Sequence, residues 1–159
     1  MIKESLRGKK IAITGATGFL GTALVELLLR EVDDVQLRLL IRPAGRRSPD
    51  KRVERDILRN DAFDFLKSSV GEENFKLLAE EKVKSLSADI SLDDLGMTEE
   101  AIQELGTCDI IIHSAAAVSF DEPLDRAAEV NLMGPVRLVE TLNKLGVKPH
   151  LVMVSTCYV

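Results

Sequence analysis

The sequence predicts an α/β fold, a doubly wound parallel sheet, on three observations. Short apolar runs alternate with longer segments whose apolar residues recur every three or four positions. The first run, Ile11 to Ile13, opens into three glycines, Gly15, Gly18 and Gly21, spaced G-x-x-G-x-x-G, and then into a helical pattern. Polar residues stand where each run ends: Thr14, Arg42, Asp89, His113 and Thr156. In such a fold ligands bind outside the carboxyl ends of the strands.

Taken in order, residues 1–9 read as a polar lead-in and 10–14 as the first strand. A helix is predicted over 19–31, with Leu20, Leu24, Leu27 and Leu28 on its apolar face. The second strand, 35–41, stops at Arg42-Pro43, because proline cannot donate to a ladder. Residues 43–82 exceed a minimal crossover. Val53, Ile57, Leu58, Phe63, Leu66, Phe75, Leu77 and Leu78 predict two or three short helices there, an insertion covering one face of the sheet. The third strand and its exit loop occupy 83–90, and a helix within 93–105 is capped by Thr98 with Glu99 and Glu100 in its first turn. The fourth strand is 108–113. A long helix runs from Pro123 to Leu145, with Leu124, Ala128, Leu132, Leu138 and Leu142 inward and Gly146 ending it. The fifth strand is 150–156. Right-handed crossovers give the order 3-2-1-4-5.

At 159 residues the chain suits one domain, 1–159. Its net charge of −5 argues against nucleic acid as a partner. Cys108 and Cys157 lack ligand-like spacing and read as reduced thiols, with no metal site. The N-terminus has no signal-peptide core, and no apolar run approaches the ~20 residues of a membrane span. A cytoplasmic location is expected, with peripheral membrane contact left open.

The glycine turn is the leading candidate site. Gly15 permits a tight turn, Gly18 lets a pyrophosphate approach the backbone, and Gly21 lets the helix lie close to the strand. Thr14 and Thr17 are hydroxyl donors beside it, and Phe19 and Leu20 open the helix whose amino end faces the phosphates. Arg42 at the end of strand two, where an acid would bind the ribose hydroxyl of NAD, selects NADP; Arg52 is a candidate second phosphate contact. Arg46, Arg47, Lys51 and Arg55 read as a solvated basic loop. Asp89 and Ile90 suit an adenine amino group and ring, though an Asx turn also explains Asp89. The small residues Ser114, Ala115, Ala116 and Ala117 let the backbone pass under the cofactor. His113 reads as a strand-end histidine bonded to backbone, not a base. Asn131 falls on the helix's buried stripe, where it needs a partner, and Pro135 deprives its carbonyl of a donor, so a kink holding a water competes with a purely structural kink.

These residues include Thr14-Gly-Ala-Thr-Gly-Phe-Leu-Gly21, Leu40-Ile-Arg-Pro43, Ala88-Asp-Ile90, His113-Ser-Ala-Ala-Ala-Val-Ser-Phe-Asp-Glu-Pro123, Asn131 and Val154-Ser-Thr-Cys-Tyr-Val159. In that order the sequence resembles the extended short-chain dehydrogenases/reductases, a Rossmann-type fold, and within them the fatty acyl-CoA reductase (male-sterility) and thioester-reductase branch. The resemblance implies NADPH-dependent reduction of a fatty acyl thioester, on CoA or acyl-carrier protein, to aldehyde and onward to alcohol. It implies that Thr156, or Ser155 one register away, hydrogen-bonds the substrate carbonyl beside a Tyr-x-x-x-Lys pair. The one tyrosine, Tyr158, matches a structural aromatic, and no Tyr-x-x-x-Lys follows it. The catalytic segment and substrate domain are therefore expected outside this chain, which alone should be inactive. Two other readings stand beside this one: another extended reductase, epimerase or dehydratase, and a non-catalytic NADP-binding module. Acyl length, end product, carrier and oligomeric state are not fixed by the sequence.

Overall fold

Five strands, β1 (Lys10–Thr14), β2 (Gln36–Ile41), β3 (Val83–Ser87), β4 (Ile110–His113) and β5 (His150–Met153), pair in parallel in the order β3-β2-β1-β4-β5. This is the order the sequence predicts. The computed structural model describes residues 2–45, 47–119 and 121–156. Register brings Thr14, His113 and Met153 side by side at the carboxyl edge, with Leu40 completing the row on β2.

Alternation along the strands builds two cores. Ile11, Ile13, Leu37, Leu39 and Ile41 point to one face, and Ala12, Leu40, Leu86 and Ile111 to the other. The first face is covered by α2 (Phe19–Glu31) together with the insertion, which contributes Val53, Ile57, Phe63, Leu66 and Phe75 to the same core. The insertion folds as α3 (Pro49–Arg52), a π-helical turn over Val53–Leu58, a 3-10 turn at Asp61–Phe63, α4 (Asp64–Val70) and α5 (Glu72–Lys82). Phe63 and Phe75 pack ring against ring at 5.7 Å between centroids. The second face is covered by α6 (Glu99–Gly106) and α8 (Gly134–Lys144), with Leu105, Leu138 and Leu142 inward, while α7 (Leu124–Ala128) buries none of its residues. Thr98 caps α6 as expected, its hydroxyl accepting from Ala101 N.

Several expectations are corrected. The lead-in is not featureless: Ile2–Leu6 forms a short helix, α1, whose Leu6 packs against the first core. In α2 the inward face is Gly21, Thr22, Val25, Glu26, Leu28 and Leu29, while Leu20 and Leu27 are exposed. A leucine-rich helix offers several three-and-four ladders, and the small Gly21 and Thr22 choose the one that approaches the sheet. Leu77 is exposed, and Ala79 takes the inward position on α5. β5 ends at Met153, so residues 154–156 are coil. The long helix is not uniform: between α7 and α8 a π-helical turn, Glu129–Met133, absorbs one extra residue. That shifts the phase and leaves Leu124 and Leu132 exposed. Pro135 explains the location, since it has no N–H to offer the carbonyl of residue 131.

Candidate functional site

The glycine turn lies where three backbone segments meet. Gly15 has φ +71°, and the chain leaving β4 crosses it so closely that a Cβ would stand 2.7 Å from Ala115 N. At Gly21 a Cβ would stand 2.2 Å from the Gly15 carbonyl oxygen. The helix thus rests on the turn itself, not on the strand as the sequence suggested. Gly18 is different. It is exposed, its φ of −85° is open to any residue, and a Cβ would meet only the Gly15 carbonyl oxygen at 3.3 Å. Packing within the chain therefore constrains Gly18 less than Gly15 or Gly21.

Gly18 is the N-cap of α2, and no side chain caps that helix or places an acid in its first turn. The first intrahelical bond is Thr22 N to the Gly18 carbonyl. The amides of Phe19, Leu20 and Gly21 therefore have no partner within the helix and point outward with the positive end of its dipole. Phe19 is 96% exposed, Leu20 is exposed, and Thr17 lies half-buried just before them. A helix start of this kind, a ledge with free amides and no nearby acid, is the type of site that can receive an anion.

Thr14 is placed differently from its expected role. It is buried, and its Oγ1 accepts from the amides of Ser114 and Ala115, both at 3.1 Å. Its single proton goes to His113 Nδ1, 2.9 Å away. The hydroxyl braces the loop leaving β4 instead of turning outward to a phosphate. His113 is likewise bonded to this side chain, not to backbone. Burial pushes its imidazole pKa below the ordinary value.

Beyond His113, Ser114 to Ala117 have no regular secondary structure, and the backbone of Ser114 and Ala115 lies against Gly15. Asn131 fixes its far end: Asn131 Nδ2 donates to the Ala117 carbonyl at 2.9 Å, and Ala117 N donates to Asn131 Oδ1 at 2.7 Å. Asn131 is exposed, not buried as the helical stripe implied, because the π-helical turn rotates it outward. Its partner is the loop backbone.

At the other end of the ledge a cleft of about 530 Å³ is lined by Arg42, Asp89, Ser91, Asp125, Arg126, Glu129 and Val130. Among the described residues the Arg42 guanidinium has no hydrogen bond or ion pair; its carbonyl accepts from Arg52 Nη1 at 2.6 Å. Arg52 Nε also donates to Asp56 at 3.1 Å, so two of its nitrogens brace the loop. Asp89 Oδ1 accepts from Ser91 N and Ser91 Oγ, the Asx turn that competed with adenine contact. Ile90 packs toward Gly134, where a Cβ would stand 3.0 Å from Ile90 Cδ1, so its side chain leans on α8. The sequence reading missed Ser91, Asp125, Arg126 and Glu129. A serine two residues after Asp89 was the available signal for the first.

Ser155 and Thr156 are exposed just beyond β5, on the same carboxyl edge. Val154 N donates to the His113 carbonyl at 2.9 Å and carries the chain alongside β4. Arg46, Phe120, Cys157 and Tyr158 lie outside the described residues.

Residues 13–159 match the family model described as male sterility protein. The chain is 38% identical over 159 residues to probable fatty acyl-CoA reductase 4 of Arabidopsis thaliana, covering 98% of this chain and 32% of that protein. Among solved structures, the terminal R domain from the myxalamid PKS-NRPS biosynthetic pathway superposes with a TM-score of 0.71 at 27% identity, over 94% of this chain and 34% of that one. The reductase (R) domain of a non-ribosomal peptide synthetase from Mycobacterium tuberculosis gives 0.68 at 32% identity, over 94% and 33%. The chain spans about a third of the length of the curated relatives it matches. With its glycine ledge, 3-2-1-4-5 sheet and these matches, the chain belongs to the male sterility protein family, the fatty acyl-CoA reductase branch of the extended short-chain dehydrogenases/reductases, and carries that family's NAD(P)-binding Rossmann fold.

Proposed function

We propose that this chain is the NADP-binding part of an enzyme that reduces a fatty acyl thioester, carried on CoA or acyl-carrier protein, to the aldehyde and onward to the alcohol. The observation that carries the reading is the uncapped amino end of α2 at Gly18. Its free amides, its lack of a nearby acid and a glycine that packing constrains less than its two neighbours in the motif all suit a pyrophosphate. Arg42, without a side-chain partner among the described residues, offers a cation just past β2, which supports NADP over NAD.

The remaining residues divide the work. Gly15 and Gly21 hold the turn, Ser114 to Ala117 form a floor of small side chains, and Asn131 fixes that floor. Thr156, or Ser155 beside it, both exposed just after β5, donates a hydrogen bond to the thioester carbonyl oxygen as charge builds on it. A bound nicotinamide supplies the hydride. No Tyr-x-x-x-Lys pair, the family's proton donor, occurs in the 159 residues. The cytoplasm suits the buried thiol of Cys108, whose pKa burial pushes up to about 11 and which is correspondingly unreactive. Among the described residues no helix is long and apolar enough to cross a membrane.

The test is turnover by the full-length protein. A long-chain acyl-CoA or acyl-carrier-protein thioester should drive NADPH oxidation with release of thiol and appearance of aldehyde or alcohol. NADPH oxidation driven instead by sugar nucleotides or ketones, or by none of these substrates, would contradict the proposal.

A further inference from the structure

The cleft at Arg42 carries more negative than positive side chains: Asp89, Asp125 and Glu129 against Arg42 and Arg126. On charge alone it is a poor place for a phosphate. Pairing changes that at one wall, Glu129; Asp125 has no side-chain partner among the described residues, and Asp89 keeps its charge. Asp89 turns one oxygen to Ser91. Arg126 pairs with Glu122 at 2.7 Å. Glu129 accepts from Arg137 Nη2, eight residues further along the helix and across the π-helical turn.

Arg137 is an unusual partner. Its side chain is only 14% exposed, and its Nη1 is buried without an acceptor among the described residues. Its other contact, Nε to Asp93 at 3.4 Å, is to a carboxylate that is almost fully in water. Exposed pairs of that kind contribute little. What holds this half-satisfied guanidinium in place is packing on one side and Glu129 on the other.

We infer that Arg137 is a specificity-determining positioning residue, which ties back Glu129 and cancels its charge so that Arg42 is left to meet a ribose phosphate. This rests on the NADP reading above. Without Arg137, a free carboxylate on the cleft wall would compete for Arg42 and repel a phosphate dianion. The effect falls on the 2′-phosphate and not on the rest of the nucleotide.

Equilibrium binding of adenosine 2′,5′-bisphosphate and adenosine 5′-monophosphate to the full-length protein tests this. Arg137→Gln should lower the preference for the bisphosphate about tenfold, the magnitude of one charge interaction worth ~1.4 kcal/mol. Adding Glu129→Gln should restore it, and Glu129→Gln alone should raise it. Equal weakening of both ligands by Arg137→Gln, or no rescue in the double variant, would show a merely structural role. Should Arg137→Gln not fold, a lower bisphosphate preference in Glu129→Gln alone overturns the inference, and a raised one supports it. A wild type with no bisphosphate preference defeats the Arg42 reading as well. A wild type whose preference survives in Arg137→Gln defeats only this inference.

Discussion

Thr14 Oγ1 lies 2.9 Å from His113 Nδ1 while accepting from the amides of Ser114 and Ala115. A hydroxyl has one proton, and both amides must donate, so that proton goes to the imidazole. Nδ1 is therefore the acceptor, and the neutral ring carries its hydrogen on Nε2. One side chain thus joins the end of β1, the end of β4 and the floor of the ledge. Thr14→Val should cost about 2–4 kcal/mol, because two buried amides and a ring nitrogen lose their partner. Thr14→Ser should cost about 1 kcal/mol or less. Denaturant unfolding of the two variants checks the ratio.

The same pair gives a pH dependence. Burial lowers the His113 pKa in the folded state from its ordinary 6.5. The unfolded chain then binds more protons, so stability is fully present above about 6.5 and declines as the pH falls below it. Protonation of Nδ1 would also remove the acceptor that Thr14 needs. His113→Asn should be less stable near neutrality and should flatten this slope. Unfolding midpoints measured at a series of pH values from neutral downward check it; an unchanged slope would contradict the assignment.

The three glycines should separate by role. Gly15→Ala and Gly21→Ala each meet backbone at under 3 Å, so both should destabilise by several kcal/mol. Gly18→Ala meets only one oxygen at 3.3 Å and should change stability by about 1 kcal/mol or less. It should nevertheless weaken dinucleotide binding. Thermal melts paired with cofactor titration distinguish the two classes.

Asn131 clasps Ala117 through both its amide oxygen and its nitrogen. Asn131→Asp keeps the acceptor but sets a carboxylate oxygen against the Ala117 carbonyl, so it should disturb the loop more than Asn131→Ala. Faster proteolysis within residues 117–123 in the Asp variant, with Ala intermediate, is the expected result.

Much of this was legible in the sequence because local chemistry and tertiary structure agree. Lys10–Thr14 is a strand and Phe19–Glu31 a helix because an apolar run, a glycine turn and a helical period follow in order. Thr98 announces its helix by its own side chain. What was hidden depends on partners distant in the chain. Leu20 and Leu27 look as apolar as Leu28, and only the contact at Gly21 decides which row faces inward. Thr14 looks like a phosphate donor until the segment a hundred residues later claims its hydroxyl. Arg137 carries no motif; it matters only because a π-helical turn sets Glu129 within its reach.

A dinucleotide lying along the ledge would set its ribose phosphate at Arg42. Comparing NADPH and NADH affinity in the wild type and in Arg42→Asp, by fluorescence titration of the full-length protein, tests this most directly. The account predicts that the substitution weakens NADPH by a factor of ten or more, consistent with reversing one charge beside a phosphate, and leaves NADH within about threefold. Equal losses for both nucleotides, or no binding of either by the wild type, would contradict it.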